Sequence, residues 1–376
     1  MKPKIRLKGF NDEWATRSLG SFGSVAMCKR IFKEQTSNNG DVPFYKIGTF
    51  GSTADAYISK GLYHEYKSKF SFPEKGDILI SAAGTIGRIV EYKGEDAYFQ
   101  DSNIVWLKHN EEIDNSFLKQ LYSIIKWKGL EGATIKRLYN NIILETEVDI
   151  PRLNEQKAIA NYFSSIDLLI QSTSKKIESL KQVKAASMQS MFPQEGETAP
   201  RVRFKGFKGD WQTLSIADIC EKKSSALSES LLGPDCGKYP VYGAKGYIQN
   251  IEYYQFEMPY ISLVKDGAGV GRSQLCPAYS SIIGTMQCII AKENVDVTFL
   301  AYLFETLDFS SYIIGSTIPH IYFRDYCSEL VKFPSIYEQK KIADYFANLD
   351  SQISLQSQRL EKLKQIKAAC LDNMFV

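Results

Sequence analysis

The sequence predicts an α+β protein in which a globular domain followed by a long helix occurs twice. Three observations lead to this fold class. The segment from Pro151 to Phe192 recurs, without a gap, from Pro334 to Phe375. Both copies have the apolar spacing of a coiled-coil helix. Both also follow regions that mix short β-like runs with turn residues, so the chain is expected to be a tandem duplication of one α+β unit.

The repeated segment is the strongest internal signal. The copies read PRLNEQKAIANYFSSIDLLIQSTSKKIESLKQVKAASMQSMF and PSIYEQKKIADYFANLDSQISLQSQRLEKLKQIKAACLDNMF, with roughly half of their positions identical. Further pairs occur upstream in the same order: Ile5–Trp14 with Val202–Trp211, Ile86-Gly87-Arg88 with Val270-Gly271-Arg272, Gly132–Ile135 with Gly315–Ile318, and Tyr139 with Tyr322. The sequence between these pairs diverges freely. The helices have therefore stayed alike while most of the globular parts changed.

Each repeated segment is predicted to be one long helix that pairs with another helix. Its apolar residues step by alternating fours and threes, which is the spacing of the a and d positions of a coiled coil. A lone helix of this length needs a partner for its apolar stripe, and its own copy is the obvious one. One position in each stripe is polar, Thr173 and Gln356, either to set the register or as a tolerated defect. The predicted helix-pairing residues are Ile159, Phe163, Ile166, Ile170, Ile177, Leu180, Ile342, Phe346, Leu349, Ile353, Leu360 and Leu363.

These signals also place the expected domain boundaries. A first globular domain is expected at residues 1–153, a first helical spacer at 154–192, a linker at 193–200, a second globular domain at 201–336 and a second helical spacer at 337–376. The linker is polar and contains Pro and Gly. Strands are predicted at Asp77–Ser81, Asn103–Leu107, Pro259–Val264 and Ser281–Ala291, and short helices at Phe117–Trp127 and Thr298–Leu307.

Composition indicates a globular protein of the cytoplasm. Hydrophobic residues make up 44% of the chain and charged residues 24%, and no apolar run approaches the length of a membrane span. The N-terminus is basic, but no apolar segment of a signal peptide follows it. The seven Cys are scattered and the three His lie far apart, so we expect reduced thiols and no metal site.

At this point the residues resemble a known family. In each half a T-I-x-x-x-Y stretch is followed by an apolar run into Pro, then E-Q-x-x-I-A-x-Y-F, then L-K-Q-x-K-A-A. The order and the double occurrence resemble the specificity (S) subunit of type I restriction-modification systems, the HsdS family. The resemblance covers essentially the whole chain.

The resemblance implies both a fold and a function. Each globular domain would be a target-recognition domain that reads one half of a bipartite, asymmetric double-stranded DNA sequence. The two long helices would pack as an antiparallel coiled coil, act as a spacer and dock two modification (M) subunits. Those M subunits would carry S-adenosylmethionine and methylate adenine, and a restriction (R) subunit would join through them. The chain itself would be non-catalytic and bind no cofactor or membrane.

Catalytic and cofactor motifs are missing from the sequence, which agrees with that implication. No N-P-P-[FY] or D-P-P-[FY] methyltransferase motif occurs. The string Gly233–Lys238 has the wrong spacing for a phosphate-binding loop and is predicted to be a turn. Gly267–Arg272 reads G-x-G-x-G rather than the dinucleotide fingerprint, and a tight turn after a strand is the preferred interpretation.

Candidate DNA contacts are basic residues in predicted loops, because Lys and Arg neutralise phosphates and a few side chains read base edges. For any one of them, an ordinary solvated surface charge is the alternative. Arg88 and Arg272 are stronger candidates because they occupy corresponding turns in the two halves. Lys136-Arg137 and His320 are also stronger candidates, since they follow the same Gly-x-Thr-Ile stretch in each half. Trp14 and Trp211 are expected to be core anchors. The full candidate set is Lys29, Arg30, Lys33, Lys46, Arg88, Lys136, Arg137, Lys238, Lys245, Lys265, Arg272, His320 and Arg324.

Two other function classes remain open at this stage. The first is a coiled-coil scaffold protein without DNA specificity, although a scaffold gives no reason to vary the globular domains while the helices stay alike. The second, a stand-alone methyltransferase or nuclease, needs motifs that the sequence lacks.

Overall fold

The computed structural model describes residues 2–127 and 137–375, and the chain forms two compact units. The first unit contains Met1–Thr173 and Arg359–Val376, and the second contains Ser174–Gln358. Each long helix therefore contributes to both units. The sequence-based boundaries treat the helices as separate segments, and those boundaries stay a prediction.

The first half of the chain contains nine strands and four α-helices in the described residues. In chain order they are β1 (Ala15–Ser18), β2 (Gly23–Met27), β3 (Val42–Tyr45), β4 (Tyr57–Ile58), α1 (Lys60–Lys69), β5 (Ile78–Ser81), β6 (Ile89–Glu91), β7 (Tyr98–Phe99), β8 (Ile104–His109), α2 (Asn115–Ile124), α3 (Asn140–Glu145), β9 (Glu147–Ile150) and α4 (Leu153–Met191).

The second half contains the same number of strands and α-helices in its described residues. They are β10 (Gln212–Ser215), α5 (Ile216–Ile219), β11 (Cys220–Ser224), β12 (Tyr239–Gly243), β13 (Gly246–Ile251), β14 (Tyr260–Val264), β15 (Ser273–Cys276), β16 (Ser281–Ile282), β17 (Met286–Ala291), α6 (Val297–Thr306), α7 (Phe323–Tyr326), β18 (Leu330–Phe333) and α8 (Ile336–Met374).

The duplication extends to the sheet topology, including regions where the sequences have diverged. The first unit has an antiparallel sheet of order β2-β8-β5-β6, and the second has β11-β17-β14-β15 in the same arrangement. A three-stranded sheet accompanies each, ordered β4-β3-β7 and β13-β12-β16, with one antiparallel and one parallel pairing. The pairs β1-β9 and β10-β18 complete the correspondence. The two units therefore share one arrangement of strands, which we call the shared frame.

The core of each unit joins the sheets to one end of a long helix. In the first unit Trp14 packs edge-on against Phe375, with ring centroids 6.3 Å apart. In the second unit Trp211 packs in the same way against Phe192, also at 6.3 Å. Both tryptophans are buried, which confirms their prediction as core anchors. Each long helix thus ends in a hydrophobic core rather than in solvent.

The long helices pack antiparallel, as contacts inside each unit show. In the first unit Lys367 Nζ near the end of α8 lies 2.6 Å from Asp167 Oδ1 in α4. In the second unit Lys184 Nζ near the end of α4 lies 2.9 Å from Asp350 in α8. Each helix is 39 residues long. Among the described residues, none of the helices combines the length and apolar composition needed to cross a bilayer.

The predicted helix-pairing residues follow a graded burial. Residues toward the start of each helix are buried and those toward the middle and end are mostly half-buried. Thr173 is buried despite its hydroxyl, and Gln356 is half-buried. The buried members are Ile159, Phe163, Ile166, Ile177, Ile342, Phe346 and Leu349, and the half-buried ones are Ile170, Leu180, Ile353, Leu360 and Leu363.

The repeated Glu-Gln pair at the start of each long helix has a structural role. The side chain of Gln156 accepts a hydrogen bond from the Asp114 amide at 2.9 Å and donates to the Pro151 carbonyl at 3.0 Å. Gln339 bonds to Asp296 and Pro334 in the same way. Asp114 and Asp296 in turn cap α2 and α6. The glutamine therefore fixes the globular part to the first turn of the helix.

Most predicted elements agree with the structure, with one instructive exception. The segment Ser281–Ala291, predicted as one strand, is two strands in different sheets. Between them the chain turns at Ile283–Thr285, where the Ile283 amide donates to the Tyr242 carbonyl. Both strands are buried and only Ile283, Gly284 and Thr285 separate them, so the segment resembles one long buried strand in sequence.

Candidate nucleic-acid interface

The turn after the third strand of each four-stranded sheet is built in the same way in both units. In the first unit Ala83 forms a β-bridge with Arg137, and the Leu138 amide donates to the Ala82 carbonyl at 2.8 Å. In the second unit Asp266 forms a β-bridge with His320. The Ile321 amide there donates to the Lys265 carbonyl at 2.9 Å. Arg137 and His320 therefore occupy equivalent positions.

The arginines at the ends of these turns also make equivalent contacts. Arg88 Nη1 donates to the Phe50 carbonyl at 2.7 Å, and Arg272 Nη2 donates to the Ala244 carbonyl at 2.6 Å. Phe50 lies in the loop after β3 and Ala244 in the turn after β12, the two central strands of the three-stranded sheets. Each arginine thus ties two loops together. Both side chains are exposed, and a guanidinium has further donors for another acceptor.

A groove beside these loops in the first unit brings three predicted residues together. Arg30, Lys33 and Lys46 line a cavity of about 490 Å³ that we call the first groove. Arg30 Nε lies 2.6 Å from Asp101, and Lys46 Nζ lies 2.8 Å from Asp55. Asp55 and Asp101 themselves line the groove, and the other lining residues are Ile31, Phe32, Thr36, Ser37, Asn38, Phe44, Ala56, Gln100 and Asn103.

The second unit has a corresponding cavity of about 610 Å³, the second groove. Lys245, in the turn between β12 and β13, is the one predicted residue among its lining residues. Its surroundings are mainly apolar, small or neutral polar side chains. The other lining residues are Ala226, Leu227, Ser228, Glu229, Gly243, Ala244, Tyr247, Ile248, Ile283, Gly284 and Thr285.

The two grooves occupy the same place in the shared frame. Each is bounded by the segment after β2 or β11, by the loop after β3 or β12, and by the residues that precede β8 or β17. The Arg88 and Arg272 contacts order one wall in each case. The linings differ, since the first groove carries three cations and two carboxylates, whereas the second carries one lysine and one glutamate. The arrangement of strands and loops is therefore constant, and the side chains that line the grooves vary.

The remaining predicted residues are more dispersed. Lys29 Nζ lies 5.0 Å from the ring centroid of Phe70, and Lys238 is exposed before β12. Neither lines the groove of its unit. Lys265 Nζ lies 3.5 Å from Asp266, and Arg324 Nε lies 3.4 Å from Asp325. Lys136 lies outside the described residues.

Sequence reasoning missed the neutral side chains that line the grooves, such as Asn38, Gln100, Tyr247 and Ile248. They carry no charge, and they do not recur because the loops differ between the halves. The only signal that could have indicated them is a constant frame with variable loops, and that signal can be recognised only when the sheet topology is known.

The chain's thiols offer little reactivity in the buried parts of either unit. Burial raises the pKa of Cys28, Cys220 and Cys288 to about 12, so their thiolates are scarce near neutral pH. Cys236 is exposed. In the described ranges no group of His, Cys, Asp and Glu side chains is arranged to hold a metal ion.

Comparison with known proteins points to one family. The family model described as the type I restriction modification DNA specificity domain matches residues 11–182 and 208–365. A putative type I restriction enzyme specificity subunit from Haemophilus influenzae is 54% identical over 155 residues. That alignment spans 41% of this chain and only 40% of the length of that protein. A putative type I restriction enzyme specificity subunit from Methanocaldococcus jannaschii is 25% identical across 97% of this chain and 93% of that protein.

Solved structures show the same fold. The S subunit of a type I restriction-modification system from M. genitalium superposes with a TM-score of 0.70 at 18% identity. The superposition covers 100% of this chain and 99% of the M. genitalium chain. A chain from a study of complex assembly and conformational transition of a type I system superposes with a TM-score of 0.52 at 14% identity, covering 97% and 98%.

Proposed function

The chain belongs to the type I restriction modification DNA specificity family, and we propose that it is the sequence-specific DNA-binding subunit of a type I restriction-modification complex. Its two units read the two halves of a bipartite, asymmetric DNA target. The long helices dock two adenine methyltransferase (M) subunits, and a restriction subunit joins through them. The chain contributes no catalysis, and S-adenosylmethionine binds in the M partner.

The observation that carries this proposal is the pair of equivalent grooves with different linings. A protein that reads two different half-sites needs the same backbone arrangement in both units. It also needs different side chains in each unit to contact the bases. The first groove, with Arg30, Lys33 and Lys46, offers donors to guanine O6 and N7 or to phosphates. The second groove, with Tyr247 and Ile248, suits apolar contact such as that with a thymine methyl group. The two linings therefore fit different base sequences.

The repeated face of the long helices supports the docking of two M subunits. Near the end of α4, Glu178, Gln182, Ala185 and Ala186 are exposed, and three- and four-residue steps place them on one side of the helix. Near the end of α8, the same four residue types recur and are exposed as well, at Glu361, Gln365, Ala368 and Ala369. Exposed alanines add nothing to the packing of this chain, and they allow close approach of another helix. Two identical faces suit two copies of one partner.

Methylation mapping tests the proposal. We expect a host that carries the chain and its M partner to show methylated adenines in one bipartite motif with two different half-sites. Removal of the chain alone should abolish that motif. Exchange of the first-groove segment Lys29–Ala56 for the matching segment of a relative should change one half-site and leave the other intact. An unchanged methylation pattern after removal of the chain would contradict the proposal and favour the scaffold alternative.

The docking face is tested separately. Ala185→Glu and Ala368→Glu should each reduce the number of M subunits bound, as measured by native mass spectrometry. The matched control is Ser172→Glu, since Ser172 is exposed on the same helix outside the repeated face. Equal binding of M by all three variants would rule out this face.

A further inference from the structure

Two exposed tyrosines occupy the same position in the two units. Tyr139 is 44% exposed and Tyr322 is 40% exposed, and each precedes the first residue of a short helix, α3 or α7. Neither side chain belongs to a hydrophobic core of its unit. Within the described residues, neither hydroxyl has a hydrogen-bond partner. Core packing therefore does not account for a tyrosine at either position.

The backbone explains why each tyrosine faces solvent. Leu138 and Ile321, the preceding residues, are buried in the cores of their units. The chain is extended here, as the β-bridges of Arg137 and His320 indicate. Successive side chains of an extended chain point to opposite sides. The buried residue therefore anchors the segment and presents residues 137 and 139, or 320 and 322, on the same outward side.

Each tyrosine also has an arginine beside its ring, although the arginines come from different positions. In the first unit Arg137 Cζ lies 5.8 Å from the centroid of Tyr139. In the second unit Arg324 Cζ lies 4.9 Å from the centroid of Tyr322, and His320 takes the place equivalent to Arg137. Both distances are in the range of a cation–π contact. The pairing of tyrosine and arginine is thus present in both units while its sequence order differs.

We infer that Tyr139 with Arg137, and Tyr322 with Arg324, form two matched phosphate contacts, one on each half-site. The phenol hydroxyl donates one hydrogen bond to a phosphate oxygen, and the guanidinium supplies the positive charge and further donors. The two half-sites differ in bases but share the sugar-phosphate backbone, so a feature present in both units fits the backbone. This inference rests on the proposed function and adds the residues that position each unit on the duplex.

The location beside the Arg88 and Arg272 turns agrees with this role. The extended segment is hydrogen-bonded to the turn that ends at Arg88 or Arg272, through Ala82–Leu138 in the first unit and Lys265–Ile321 in the second. A contact to phosphate made here would fix the register of the adjacent groove on the bases. The tyrosine would then affect affinity without discriminating between bases.

Tyr139→Phe and Tyr322→Phe test the inference, because each removes only the hydroxyl. The variants are assembled with the M subunits, and dissociation constants are measured by fluorescence anisotropy over a series of salt concentrations. Each change should weaken binding roughly tenfold, as expected for a lost hydrogen bond to a charged acceptor. The loss should be equal on the cognate duplex and on a duplex with one altered half-site. The salt slope should not change, since a phenol carries no charge.

Arg137→Ala and Arg324→Ala complete the test, and each should lower the salt slope by about one. The matched control is Tyr337→Phe, because Tyr337 is exposed at the first turn of α8 and outside the repeated pair. Wild-type affinity of both tyrosine variants would overturn the inference, as would a loss confined to one base identity or a loss of M binding. If the wild-type complex itself failed to prefer any sequence, the proposed function would fall instead.

Discussion

The guanidinium of Arg6 makes two hydrogen bonds to the carboxylate of Glu155, both at 2.7 Å. Arg203 holds Glu338 in the same way, at 2.6 and 2.7 Å. The two carboxylates lie in the first turns of α4 and α8, where their side chains are only 3% and 1% exposed. A carboxylate so placed depends on its arginine, since a buried charge without a partner is strongly unfavourable.

Arg6→Ala should therefore destabilise the first unit by about 1.5–3 kcal/mol, the range for hydrogen bonds to charged groups. Arg203→Ala should do the same to the second unit. Native-state hydrogen exchange measured by mass spectrometry locates the effect. Exchange should accelerate at residues 5–14 and at the start of α4 in the first variant, and at 202–211 and the start of α8 in the second.

Arg152→Ala is the matched control. Its guanidinium lies 3.2 Å from Asp12, but the Arg152 side chain is 76% exposed. Exposed ion pairs contribute about 0–1 kcal/mol, so this variant should behave nearly as wild type. Equal exchange in Arg6→Ala and Arg152→Ala would mean that the buried pair does not hold the N-terminal segment in place.

The long helices could be predicted from sequence because their signal is local and repeated. The a and d spacing fixes their extent, and α4 begins at Leu153, one residue before the expected start of the first helical spacer at 154. The role of Ile5–Trp14 could not be predicted in the same way, because its partner lies far away in the sequence, whereas the partner of the second copy lies nearby. Val202 follows the end of α4 in the chain, and its amide donates to the Ser190 carbonyl at 2.9 Å. Ile5 makes the equivalent bond to Asn373 in α8, at the other end of the sequence.

The grooves could not be predicted from the sequence for a related reason. Their walls are set by long-range contacts such as the bond from Arg88 to the Phe50 carbonyl, and no spacing rule connects those residues. The repeat did locate Arg88, Arg272, Arg137 and His320, because these belong to the shared frame. It could not identify lining residues, since the lining is what differs between the units.

Arg88→Ala and Arg272→Ala should each weaken DNA binding by the assembled complex. If the guanidinium contacts a phosphate, the loss should be similar on all sequences and the salt slope should fall by about one. If it reads a base, discrimination at one position should relax by roughly 1–3 kcal/mol. Arg152→Ala again serves as the control. Unchanged affinity in both variants would mean that these arginines only connect loops, through their contacts with Phe50 and Ala244, and do not bind DNA.

A fragment ending at Phe192 should form a homodimer, because the end of α4 repeats the main residues by which the end of α8 packs in the first unit. Phe192 would replace Phe375 against Trp14, and Lys184 would replace Lys367 against Asp167. With M subunits the dimer should methylate a symmetric site built twice from the first half-site. Analytical ultracentrifugation measures the association. A shorter fragment ending at Ser172 should stay monomeric, and a monomeric 1–192 fragment at micromolar concentration would contradict the prediction.

The purified chain alone should transfer no methyl group to DNA and cut no DNA. Its sequence carries none of the amino-methyltransferase motifs, and catalysis is proposed to lie in the M partner. Incubation with tritiated S-adenosylmethionine and host DNA, with and without M, measures this directly. Methyl transfer by the highly purified chain would show that a catalytic site exists in it.

The last prediction concerns the helices as a ruler between the half-sites. Insertion of one heptad after Ile170 and another after Ile353 keeps the a and d register in both helices. The Lys367–Asp167 and Lys184–Asp350 pairs would keep their partners, because each pair lies within one unit. The insertion should lengthen the helix pair by about 10 Å, at roughly 1.5 Å per residue. Insertion into one helix alone is the control and should disrupt the pairing.

On B-DNA, 10 Å corresponds to about three base pairs, at roughly 3.4 Å each. Three base pairs also rotate the duplex by about 100°, since a full turn takes roughly 10.5. The lengthened helices compensate little of this rotation, because an ideal helix drifts only about 20° per heptad. The variant should therefore fold and bind M but lose activity on the native site. Any residual methylation should prefer the same half-sites separated by a longer gap, and methylation mapping in cells would reveal it. Full activity at the original gap would mean that the helices do not set the spacing.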